Sequence, residues 1–122
     1  MTAPRVEVVG SKRVLFVSTE GPLLAAERDV LDLIGATFGQ EIDTVAIPAA
    51  RLGPDFFSLR SGLAGAVTQK FVNYQLRLAI VGDVSTHVRA SDAFRDWVIE
   101  SNRGRQLWFV ADQAELISRL SA

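Results

Sequence analysis

The chain has 122 residues, 48% of them hydrophobic and 22% charged, with a formal net charge of -1. That length supports one domain with a core of its own, and the composition excludes intrinsic disorder. The charge gives no general attraction to nucleic acid or anionic lipid, and a chain with no cysteine and one histidine has no disulfide, thiol nucleophile or thiolate metal site.

In chain order, Arg5-Val6-Glu7-Val8-Val9 largely alternates and reads as an edge strand with one wet face. Gly10-Ser11-Lys12 supplies a turn into Val14-Leu15-Phe16-Val17, a buried strand, so the two form a hairpin. Ser18-Thr19-Glu20-Gly21-Pro22 carries helix start signals. Leu24, Val30, Leu31, Ile34 and Phe38 then describe an amphipathic helix that ends near Gly39. Thr44-Val45-Ala46-Ile47 is a third strand, stopped by Pro48. Ala49 to Arg60 is the longest irregular connection, and long connections in compact domains are more often functional than short ones. Leu63, Val67, Phe71 and Tyr74 recur at helical spacing as one apolar stripe. Ser61 suits the N-cap of that helix, its hydroxyl accepting from a first-turn N–H. Gly62, Ala64, Gly65 and Ala66 let the first turn approach a strand or a ligand closely.

Arg77-Leu78-Ala79-Ile80-Val81 is an apolar run headed by one charge, the mark of a strand covered on both faces and therefore inside the sheet. Gly82-Asp83 ends it, and a polar loop from Asp83 to Ala90 holds His87 as an exposed residue. Ser91 caps a helix buried through Phe94, Trp97, Val98 and Ser101, with Gly104 in the left-handed position past its end. Leu107-Trp108-Phe109-Val110 is the last strand. Asp112 and Glu115 make a capping-box-like start for a helix that buries Leu116, Ile117 and Leu120. The order β-β-α-β-α-β-α-β-α spans residues 1–122 as a single α/β domain. It implies a five-stranded mixed, mostly parallel sheet covered by four helices, the first strand its antiparallel edge.

Two resemblances follow from these residues. The segments DFFSLRSGLAG, QKFVNY, VGD and ESNRGR resemble, over nearly the full length, the uncharacterised bacterial family Domain of Unknown Function 4180. The element order, with Ser61-Gly62-Leu63 opening the helix after the third strand, resembles the STAS domain of anti-sigma-factor antagonists. The first resemblance implies a fold and no established activity. The second implies a switch serine phosphorylated by a partner kinase. Matching Ser61-Gly62-Leu63 to the end of the STAS motif puts Arg60 at the phosphorylated position and Leu59 at that of the motif's aspartate. The chain departs from the motif where the switch would sit. Ser58 and Ser61 remain as acceptors beside Arg60, or as caps that satisfy local backbone.

In open parallel sheets ligands gather at the carboxyl ends of the strands, where this chain offers Ser18, Thr19, Arg51, Arg60, Ser61, Asp83, Ser85 and His87. Ser61, the amides of Gly62 and Leu63, and Arg60 compose an anion site; the alternative is that Arg60 is a solvated loop charge. Ser61, Asp83 and His87 are the residue types of a hydrolytic triad, without a Gly-x-Ser-x-Gly elbow. Asp83 reads as a turn former bonding to nearby N–H groups. Phe56 and Phe57, adjacent in an irregular loop, either expose a ring as a partner-binding surface or fold one under as a lid on the core. No phosphate-binding glycine loop, basic patch or membrane span is present, and no cofactor is expected.

The resulting expectation is a cytoplasmic, non-catalytic regulatory or interaction module. It acts through the loop 51–61 and the start of the following helix, with Phe56, Phe57, Ser58, Arg60, Ser61 and Gly62 as its contact residues. Its partner is another protein or a second copy. The competing expectation is a small-molecule or anion-binding protein, or an enzyme, using Arg60, Ser61, Asp83 and His87.

Overall fold

A computed structural model describes residues 4–121. Residues 1–3 and residue 122, the two ends of the domain read as spanning 1–122, lie outside the described residues. The chain forms an α/β structure around one sheet with strand order β1-β2-β3-β4-β5. β1 (Arg5–Val9) and β2 (Lys12–Phe16) are the expected antiparallel hairpin, in which Val9 faces Lys12 and Gly10 turns the chain at φ +63°. β3 (Thr44–Pro48), β4 (Arg77–Val81) and β5 (Leu107–Val110) continue the sheet in parallel. β4 lies between β3 and β5, inside the sheet as its apolar run predicts.

The order fixes how the helices are distributed. Each parallel connection steps one strand onward in the same direction, and right-handed crossovers then carry every connecting helix over the same face. α1 (Glu27–Gly35), α3 (Leu63–Asn73) and α5 (Asp92–Arg103) therefore share one face. There Val30, Ile34, Val67, Phe71 and Phe94 pack on Val45, Ile47, Leu78, Ile80 and Phe109. α6 (Gln113–Ser121), which follows the last strand, packs Leu116 and Leu120 on the other face against Val14, Ala46, Ala79, Trp108 and Val110. Trp108 is clasped there between two guanidinium groups, Arg77 at 4.1 Å and Arg119 at 3.9 Å from its ring.

Several local expectations are corrected. The first helix begins at Glu27 rather than in the segment after Ser18, and Leu24 instead forms a parallel bridge with Leu52. Phe38 lies past the end of α1 and Tyr74 at the C-cap of α3. They are 63% and 52% exposed and pair with each other at 5.7 Å instead of entering the core. Gly104 sits at φ -92°, outside the left-handed region, its N–H donating to Ser101 O. Two connections read as irregular hold short helices. One contains a 3-10 turn Ala49–Arg51, α2 (Pro54–Phe57) and a 3-10 turn Leu59–Ser61; the other contains α4 (Ser85–Ala90). Ser91 does cap α5, accepting from Phe94 N–H at 3.1 Å, and Asp112 accepts from Glu115 N–H at the start of α6.

Candidate functional site

Because β2 to β5 run parallel, the segments that leave their carboxyl ends meet on one rim. The segment 49–62 is ordered by its own chemistry. Pro54 occupies the first turn of α2, where a missing N–H costs nothing. Phe56 and Phe57 follow it inward, 1% and 9% exposed. The expectation of an exposed ring is thus corrected: both rings fold under the loop and join the core, Phe56 edge-on to Phe57 at 5.5 Å. Phe57 lies edge-on to Phe94 at 5.8 Å and flat against His87 at 3.9 Å.

Arg51 closes the other end of the segment. Its guanidinium donates to the carbonyls of Ser18, Glu20 and Pro22 at 2.8–2.9 Å, and its own carbonyl accepts from Leu24 N–H at 2.7 Å. Gly21, at φ +129°, lies against that guanidinium; a Cβ there would stand 3.0 Å from Arg51 Cζ. Arg51 is a clamp between two rim loops, with its Nε and Nη1 donors committed to backbone.

The anion nest expected at the start of α3 is already filled. Gly62, left-handed at φ +75°, is the cap residue, and its N–H donates to Leu59 O. Leu63 N–H donates to Ser61 Oγ at 3.2 Å, so Ser61 bonds the first turn from one residue ahead of the cap, which corrects its reading as the cap itself. The Ser61 hydroxyl lies 2.5 Å from Asp55 O and 2.9 Å from Ser58 O, to which it donates. Arg60 and Ser58 are exposed, and Arg60 makes no hydrogen bond or ion pair among the described residues.

Asp83 is the turn former it was read to be. Its Oδ1 accepts from Ser85 N–H at 2.8 Å, starting α4. Hydrogen bonds from the Ser85 hydroxyl and N–H hold the carboxyl below the ordinary carboxylate range. His87 is half-buried on α4 and stacked on Phe57, which corrects its reading as an exposed loop residue. Asp83 and His87 line an open cleft of about 420 Å3 with Thr19, Pro48 and Phe57. Arg60 and Ser61 do not line it, so the four residues of the anion-binding reading divide into two pairs. The Ser-His-Asp trio is not assembled, its hydroxyl being engaged with backbone carbonyls outside the cleft. Among the described residues no three His, Asp or Glu side chains converge as metal ligands.

Thr19, Pro48 and Val81 also border a second cavity on the α6 face, with Arg5 and Gln113 on its rim. The sequence reading passed over both rim residues. The available signal was the position of Arg5 on an edge strand whose alternation points it toward the face with fewest helices.

The sequence model of the family described as Domain of unknown function (DUF4180) matches residues 9–120. No curated protein and no solved structure matches the chain.

Proposed function

The chain belongs to the family described as Domain of unknown function (DUF4180), and from that premise we propose that it is a non-catalytic regulatory or interaction module. Its working surface is the ridge 51–61 with the start of α3, and its partner is another protein in the cytoplasm. The observation that carries this reading is the pre-ordering of the ridge. Arg51, Phe56, Phe57 and Ser61 pin it from beneath, while Ser58 and the unpaired Arg60 stand on its crest. A surface already held in one conformation loses little entropy on binding. Arg60 favours a partner that presents a carboxylate, and its guanidinium fork suits bidentate pairing. The anion-binding alternative draws less support, since Arg60 and Ser61 stand outside the cleft that holds Asp83 and His87.

The test is a photo-crosslinking side chain placed at Ser58 in cells of the native host, with the same group at Arg105 as a control at the far end of the sheet. A discrete adduct at position 58 that disappears with Arg60→Glu and is missing from position 105 supports the reading. The same adduct at both positions, or none at 58, refutes it.

A further inference from the structure

The two faces of the sheet are unequally covered, with α1, α3 and α5 on one and α6 alone on the other. α6 rests mainly on β1, β4 and β5, and the floor beyond its first turn stays open at the carboxyl ends of β2 and β3. A cavity of about 240 Å3 lies there, floored by Phe16, Ala46, Pro48 and Val81, with Arg5 and Gln113 on the rim. At ~30 Å3 per water it holds the volume of about eight waters, which suits one small ring with a single substituent.

Its chemistry is an apolar floor with one cation. Arg5 is the only charged side chain lining the cavity among the described residues, and its guanidinium stands 5.1 Å from the Phe16 ring centroid. Its polar partners are distant: Gln113 Oε1 at 3.4 Å and Glu7 Oε1 at 3.6 Å. Contacts of that length between exposed groups hold little energy. Arg5 can exchange them for the two parallel bonds of a carboxylate without disturbing the backbone. Ser18 and Thr19 bring further polar groups to the same rim.

We infer that this cavity binds a small monocarboxylate with a flat apolar body, its carboxylate on Arg5 and its body over Phe16, Ala46 and Val81. A neutral amide of the same shape lacks the charge-assisted pair, and inorganic phosphate lacks the body that would displace water from the floor.

The probe is sodium benzoate, titrated into the full chain and followed by amide chemical shifts, with benzamide and inorganic phosphate in parallel. Saturable shifts at Phe16, Ser18, Thr19, Val81 and Gln113 are expected for benzoate at millimolar concentration or below. Arg5→Gln, a change on an exposed side chain, weakens binding by about tenfold or more while the remaining spectrum stays in place. Arg5→Lys, which keeps the charge without the fork, falls between. The inference is overturned by an absence of saturable shifts, by shifts that map elsewhere, by equal binding of benzamide or phosphate, or by Arg5→Gln binding benzoate as the parent does.

Discussion

The imidazole of His87 lies flat on the ring of Phe57, centroids 3.9 Å apart and planes within 4°, and both meet Phe94 edge-on. This stack ties α2, α4 and α5 together beneath the rim. The two rings differ in burial, so their removal should differ in cost. Phe57→Ala empties a buried site and is expected to destabilise by about 3–4 kcal/mol. His87→Ala removes a half-buried stacking partner and should cost about 1 kcal/mol. Urea unfolding of both variants checks this; equal costs would mean that Phe57 is no deeper in the core than His87.

A second expectation concerns Arg51 and Gly21. Arg51→Lys loses the fork that reaches three carbonyls and should cost about 1–3 kcal/mol, with faster amide exchange over 18–24. Gly21→Ala places a Cβ against the guanidinium at a backbone angle that L residues rarely adopt, and should cost about 1–3 kcal/mol. The two changes touch the same contact, so the double variant should be less destabilised than their sum. Strict additivity would show that Gly21 is required for its backbone angle alone.

The pH dependence of stability should carry a share from Asp83. Its folded pKa is lowered, so its contribution is present above the ordinary carboxylate value of about 3.9 and is lost as pH falls through the lower folded value. Asp83→Asn should flatten the stability profile in that acid window and leave its slope near neutrality unchanged. A profile identical to the parent below pH ~4 would show that the Ser85 bonds do not distinguish the two protonation states.

Strands and main helices were legible because their signals are local. The apolar run 77–81, the Ser91 cap and the Asp112 start each act within a few residues. The site was harder to read because its decisive contacts are distant in sequence. Arg51 reaches back to Ser18, Glu20 and Pro22, and those bonds hold 18–22 in a bent, non-helical course against the local helix start signals. Phe57 is covered by His87 and Phe94, both distant in sequence, and nothing in a Phe-Phe pair records that. Phe38 and Tyr74 follow the helical period of their stripes yet fall past the point where α1 and α3 still face the sheet. Periodicity gives a face and does not give the length over which a partner covers it.

A last prediction concerns the outer edge of β5. Phe109 N–H has no further strand to bond and donates instead to Asn102 Oδ1 at 2.7 Å, while Asn102 O accepts from Arg119. One side chain on α5 thus covers a sheet edge that would otherwise present a donor to another chain. Asn102→Ala leaves that N–H without a partner in a part-buried position. The loss should be about 1–3 kcal/mol, with association that grows with protein concentration in sedimentation runs. Asn102→Asp keeps an acceptor at the same place and should stay monodisperse relative to the parent with a smaller loss. If both variants lose stability equally and neither associates more than the parent, the asparagine acts through packing, and the edge is protected by the bulk of α5 rather than by this bond.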